Sequence, residues 1–204
     1  MSSLRDQISS SSPPSFSFEA ELVSWEMPRS RPRRSPNIII CGTPGTGKTS
    51  LAEKVSELSG LSHINLSKYA VDNQLVDGWD NVLNCAVLDE DKVLDNLKEK
   101  FADGGCILDY HGCDFFPEEQ MDLVVVLRTE TSALYDRLKA RGYPERKISN
   151  NMECEIFQTI LDEARESYDE AIVMELTSNA EAEQRENART LHSWIQDWIK
   201  THSK

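Results

Sequence analysis

The chain has 204 residues, enough for one domain around a single core, and 39% of them are hydrophobic. Its formal net charge of −13 argues against broad nonspecific nucleic-acid binding, because an acidic surface repels phosphate backbones. No apolar run approaches bilayer-spanning length and no secretory signal pattern opens the chain, so neither a membrane protein nor a secreted one is expected.

Residues 1–36 carry a serine run, several prolines and the basic cluster Arg29, Arg31, Arg33 and Arg34. They show no apolar periodicity and are expected to form a disordered tail. From residue 37 onward strand-like and helix-like stretches alternate. Residues 37–41 (NIIIC) are a β-branched apolar run and read as a buried strand. Residues 47–59 read as a helix with Leu51, Val55 and Leu58 on one face, and 61–66 as a short strand. A helix is expected over 89–101, a strand over 106–110 and a clear strand over 122–128. Helices follow over 132–141 and 150–170, then a strand over 172–176 and a closing helix over 180–199. Near-continuous apolar strands separated by helices predict an α/β fold with a five-stranded parallel sheet covered on both faces. Ligands of such sheets bind beyond the carboxyl ends of the strands.

The five cysteines are odd in number and none is spaced C-x-x-C, which argues against a disulfide framework or a zinc knuckle. Reduced, mostly buried thiols are expected, as in the cytosol or nucleus.

Residues 42–49, GTPGTGKT, match G-x-x-x-x-G-K-[ST], with a strand before and a helix after. Glycines at 42, 45 and 47 let backbone N–H groups turn inward onto phosphate oxygens, with Pro44 and Thr46 completing the loop. The helix start adds the positive end of its dipole. Lys48 is expected at the β- and γ-phosphates of ATP, Thr49 on Mg²⁺, and Ser50 on an inner phosphate. An acid ending the strand at 106–110, Asp109, is the candidate to hold Mg²⁺ through water. Strand alternation points His111 the same way, where it can orient a water or the transferring group. His63, His192 and His202 lack such neighbours and are expected to be structural. Arg137 and Arg141 are four apart on one helix and share a face, as a clamp on a transferring phosphoryl group requires.

Together with the motif at 42–49, the stretches VLDED (87–91), DYHGCDFFPE (109–118), LYDRL (134–138) with RGY (141–143), and NNMECEIF (150–157) resemble the adenylate kinase isoenzyme 6 family. The resemblance runs from about residue 36 to the C-terminus. It implies a P-loop nucleoside-monophosphate kinase fold with a monophosphate-binding flap at 65–88 and a lid at 140–150. It implies Mg²⁺-dependent transfer from ATP to AMP together with ATPase activity. The alternative it carries is an ATPase assembly factor for small ribosomal subunit (18S rRNA) maturation. That role would involve a small-subunit ribosomal protein and pre-ribosomal particles in nucleus and cytoplasm. The lid segment is basic, with Arg141, Arg146 and Lys147, and has no cysteine to hold zinc. One departure concerns the flap. Lys68 is its single basic residue, and Val71 stands where relatives often place a basic side chain.

Overall fold

A strand made of Ile38, Ile39, Ile40 and Cys41 has no polar face, and it lies at the centre of the sheet with all four residues fully buried. The computed structural model describes residues 33–80 and 85–202. In chain order the elements are β1 (Ile38–Cys41), α1 (Lys48–Ser59), β2 (Ser62–Asn65), α2 (Leu66–Asp72), β3 (Val76–Asp80), β4 (Cys85–Leu88) and α3 (Glu90–Asp103). They continue with β5 (Cys106–Asp109), β6 (Leu123–Arg128), α4 (Thr131–Ala140), α5 (Glu145–Ile156), α6 (Thr159–Ser167), β7 (Val173–Thr177) and α7 (Glu181–His202).

Five strands pair in parallel in the order β2–β5–β1–β6–β7. Alternation divides their side chains between two layers. Ile39, Cys41, Leu108, Val124 and Val126 pack with Val93, Leu97 and Phe101 of α3 and Leu161 and Ala164 of α6. Ile38, Ile40, Ile107, Val125 and Leu127 pack with Leu51, Ala52 and Val55 of α1 and Ala188, Leu191 and Ile195 of α7. Each buried valine, leucine or isoleucine among them contributes about 1.5–3 kcal/mol of hydrophobic transfer. After β5 the chain crosses β1 to build the other half of the sheet, so the loops after β1 and β5 part and leave a crevice at their carboxyl ends.

The strands and most helices fall within a residue or two of the sequence expectation. Three segments differ. Residues 66–88, to which sequence periodicity assigned no element, hold α2 and the antiparallel β3–β4 hairpin. The single helix expected over 150–170 is two helices, α5 and α6, broken at Phe157 and Gln158. The break carries no glycine or proline, and Gln158 takes the left-handed conformation (φ 59°). The cause is tertiary. The Glu155 side chain and carbonyl are bonded to β6 and the P-loop, and α6 turns to place Leu161 and Ala164 in the sheet core. Finally, the expected tail overlaps the folded body. Residues 1–32 lie outside the described residues, but Arg33 donates to the Gln120 carbonyl (2.5 Å) and to Asp122 (2.9 Å). Among the described residues, no helix is long and apolar enough to cross a membrane.

Candidate active site

β1 delivers the chain into the glycine loop. A Cβ on Gly42 would lie 2.5 Å from the Leu127 carbonyl oxygen, and φ there is +138°, so only glycine fits between the two strands. Within the loop, the Thr46 hydroxyl and backbone N–H both donate to the Thr43 carbonyl (2.9 and 3.2 Å), which fixes the turn before α1. Lys48 folds back over it, its Nζ donating to the carbonyls of Gly42 (2.8 Å) and Thr43 (3.1 Å). Burial lowers the Lys48 pKa to about 8, with repulsion from Arg141 adding to the effect and Asp109 opposing it.

Asp109 ends β5 beside this loop and is 3% exposed. Its Oδ2 accepts from Asn65 Nδ2 at 2.7 Å, and the Asn65 amide also reaches the Thr49 hydroxyl at 3.5 Å. Burial pushes the carboxyl up, but the polar side chains of His63, Thr49 and Asn65 around it and the Lys48 charge outweigh it and hold the pKa below its ordinary value. Asp109 therefore stays ionised next to Thr49 and Lys48. His111 lines the same crevice. It is an exposed residue by area, yet the crowding of the cleft and the Lys48 charge disfavour its protonated form.

These groups open into a cleft of about 850 Å³. Pro44, Gly45, Gly47, Lys48, Thr49 and Ser50 line one end, with Asp109 and His111 beside them. Arg141, Tyr143 and Lys147 line a second wall, and Val71, Trp79, Ala86 and Leu88 a third. Ser50 donates to Gln184 of α7 in this structure.

The expected arginine clamp is divided. α4 ends at Ala140, so Arg141 is its cap residue and faces the cleft. Arg137 does not join it. Its guanidinium donates to the carbonyls of Ser178 (2.8 Å) and Asn179 (2.6 Å), with Gly45 at 3.4 Å. Helical spacing put the two residues on one face, and the Arg141 N–H still donates to the Arg137 carbonyl, but the carbonyls of Ser178 and Asn179 draw the Arg137 side chain away from the cleft.

Two residues gained importance that spacing did not mark. Glu155, 3% exposed on α5, accepts from Thr43 Oγ1 in the P-loop (2.5 Å), from Arg128 Nε (2.8 Å) and from the Thr129 N–H (2.9 Å). It ties the helix that follows Arg141 and Tyr143 directly to the phosphate loop. Its only trace in sequence is membership of the NNMECEIF stretch. His63 was expected to be merely structural, but its Nε2 lies 3.5 Å from Asp109 Oδ2. The DYHGCDFFPE stretch owes its shape to burial of Cys113 and Phe116 and to Tyr168, whose hydroxyl donates to both carbonyls. Cys41, Cys106, Cys113 and Cys154 are free, and the first three are buried.

A glycine loop between strand and helix, a lysine inside it and an ionised acid on the neighbouring strand define a P-loop nucleotide-binding protein. The solved structures agree on the fold. Shikimate kinase from Bacteroides thetaiotaomicron superposes with a TM-score of 0.54 over 79% of this chain and 98% of that one, at 14% identity. Shikimate kinase from Acinetobacter baumannii gives 0.53 over 80% and 94%, at 18% identity. The family model described as "AAA domain" matches residues 38–158. Curated relatives named adenylate kinase isoenzyme 6 homolog are 51% identical in Caenorhabditis elegans (84% of this chain, 95% of the relative) and 50% in Schizosaccharomyces pombe (83% and 97%). The homolog in Dictyostelium discoideum is 47% identical over 84% of this chain and 98% of its own length. The chain belongs to the adenylate kinase isoenzyme 6 family, a family of nucleotide kinases.

P-loop kinases generally act on ATP with Mg²⁺. The residues present fit that pair: a cradle in which Cβ atoms would clash, a lysine at its mouth, and Asp109 and Thr49 joined through Asn65.

Proposed function

We propose that this chain transfers the γ-phosphoryl group of ATP to AMP in the presence of Mg²⁺ and hydrolyses ATP as a second reaction. The observation that carries the reading is the meeting, in one cleft, of the Lys48–Thr49–Asp109 cluster with the Arg141–Lys147 wall and an apolar wall of Val71, Trp79 and Leu88. In this reading the segment 65–88 is the flap for the acceptor and 140–150 the lid over ATP.

Each residue has a task in that chemistry. The loop N–H groups bind the donor phosphates, and Lys48 exchanges its carbonyl partners for phosphate oxygens. Asp109 and Thr49 would hold Mg²⁺, Asp109 through bound water. That ion supplies neutralisation of the charge on the β- and γ-phosphates. Arg141 meets the charge that spreads over the transferring group as its bond loosens. His111, kept neutral, orients the attacking water in hydrolysis and borders the transferring group in transfer, where the anionic acceptor oxygen of AMP has no proton to give up. Closure of 140–150 excludes water in favour of the acceptor.

A specific feature favours hydrolysis as the accompanying reaction. Lys68, the one basic residue of the flap, is an exposed side chain bonded to Asp72, and Val71 presents a half-exposed apolar surface to the cleft. An acceptor phosphate finds no cation from this wall, so water competes more easily there. The test is to incubate the protein with ATP and Mg²⁺, alone and with each nucleoside monophosphate, and to resolve ADP from free phosphate. AMP should raise ADP beyond the phosphate released. If no monophosphate does so, the protein is an ATPase and the transfer reading falls.

A further inference from the structure

The geometry points to His63 as a positioning residue for Asp109. Its Nε2–H is a second donor that, with Asn65, fixes the Asp109 carboxylate when nucleotide and metal are bound. The inference rests on the reading above, in which Asp109 holds Mg²⁺.

The placement follows from strand register. β2 is the edge strand and runs parallel to β5, with Asn65 beside Asp109 and His63 beside Ile107. Residues two apart on a strand share a face, so His63 and Asn65 point the same way. That face is the one α1 covers, where Ile107 packs with Leu51, Ala52 and Val55. His63 is thus confined beneath the helix that begins with Lys48 and Thr49.

Two observations make it more than a packed ring. Its Nε2 is buried and has no hydrogen-bond partner among the described residues, although its side chain is 16% exposed overall. The nearest acid oxygen is Asp109 Oδ2 at 3.5 Å, the same atom that takes Asn65 Nδ2 at 2.7 Å. An idle buried polar atom is a cost that a fold seldom keeps without reason. A carboxylate offers about four acceptor sites, so Asp109 can take both donors and still face Thr49. Closing the gap to hydrogen-bond length needs a movement of about half an ångström. With Asn65 also reaching Thr49 at 3.5 Å, the four side chains form one connected path from the edge strand to the head of α1. The role asks only for the neutral tautomer that carries its proton on Nε2. Residues that orient a metal-holding group in this way typically change metal affinity about 10–100-fold when lost.

The test uses the full chain and Mn²⁺ as the probe, read by electron paramagnetic resonance in the presence of a non-hydrolysable ATP analogue. Turnover is measured in parallel as a function of Mg²⁺ at saturating ATP. His63→Phe removes the donor and keeps the ring, and His63→Gln restores an amide donor. Thermal denaturation verifies folding, and His63→Leu replaces His63→Phe where the latter is unfolded. Asp109→Asn is the reference. We expect the donor-less variant to weaken Mn²⁺ about tenfold and to raise the Mg²⁺ needed for half-maximal turnover by a similar factor. His63→Gln should recover to within about threefold of the parent. If Asp109→Asn weakens Mn²⁺ but loss of the His63 donor does not, His63 is structural and the inference is overturned. Equal losses in the Gln and Phe variants overturn it too, since donation would then not be the reason. If Asp109→Asn itself leaves Mn²⁺ binding unchanged, the underlying reading of Asp109 fails first.

Discussion

Lys48 meets two carbonyls before any phosphate arrives, and burial holds its pKa at about 8. An anionic triphosphate restores the preference for the charged form. At pH 9 the free lysine is therefore mostly neutral, and ATP binding should take up close to one proton, whereas at pH 6.5 the lysine contributes almost none. Calorimetry in buffers of different ionisation enthalpy measures this uptake. Zero uptake at pH 9 would mean that Lys48 stays charged in the free protein or never meets the phosphates. Asp109 and His111 are separable at the same scale. Both line the cleft, but only Asp109 is tied to Thr49 through Asn65. Asp109→Asn should depress transfer and hydrolysis alike, and His111→Ala should depress them unequally. Free phosphate and AMP-dependent ADP, measured for each variant, decide it. Equal proportional losses for His111→Ala would leave that residue a general support of the loop.

Helix α5 is where element and site become one object. Through Glu155 it is fastened to Thr43 of the P-loop and to Arg128 of β6. Thr43→Val deletes one bond and strands one carboxylate oxygen, which should cost about 1–3 kcal/mol in denaturant unfolding. Glu155→Ala should cost more, about 3–5 kcal/mol, because it removes the carboxylate paired with Arg128, whose remaining partners are the residue 155 backbone carbonyl and Glu175 at 3.5 Å. If Glu155→Ala proves the milder change, the coupling of α5 to the P-loop is not a major support of the fold. The two arginines of α4 and its cap should likewise diverge. Arg137→Ala removes the tie to Ser178 and Asn179 and should lower the melting temperature. Arg141→Ala should instead lower turnover more than ATP affinity, as kinetics at saturating and limiting ATP will resolve. Elements with local signals were legible in the sequence: β1 and β6 as apolar runs, α1 from the glycine loop before it, α3 from Asp89 and its apolar face. The break between α5 and α6 was not, because its cause is a buried hydrogen-bond set made with residues 26 to 112 positions away. The glycine loop, Asp109 and His111 could be read from local spacing. His63 and Glu155 could not, since their partners are fixed by strand register and helix docking.

At the scale of the whole molecule, the folded body begins before the family resemblance does. Composition set the tail at 1–36, yet Arg33 donates to the Gln120 carbonyl and to Asp122, and the Gly105 N–H donates to the Pro36 carbonyl at 3.2 Å. A Cβ on Gly104 would sit 2.3 Å from the Ser35 carbonyl oxygen, so that glycine makes room for this strap. A chain lacking residues 1–32 should therefore keep its turnover and melting temperature, because the Ser/Pro/Arg-rich stretch has little apolar surface to bury. Arg33→Met in that shortened chain should not be neutral. Burial raises the pKa of Asp122, while the Asn37 N–H and the Arg33 charge pull it down. Because the folded value still exceeds the unfolded one, Asp122 favours the fold when protonated, and that contribution is lost as pH rises through its folded pKa. Removing Arg33 widens the shift, so the burden on the ionised carboxylate grows at neutral pH. The expected loss at pH 7 is about 1–2 kcal/mol, or about 2–4 °C per kcal/mol for a chain of this size. It should shrink as pH falls through the folded Asp122 pKa values of the two chains, both above the ordinary aspartate range, and be gone once both chains carry a neutral Asp122. Thermal unfolding of the two chains from pH 7 to pH 3.5 measures the difference. A gap that stays constant across that range would assign the effect of Arg33 to its packing and its bond to Gln120, and not to the Asp122 pair.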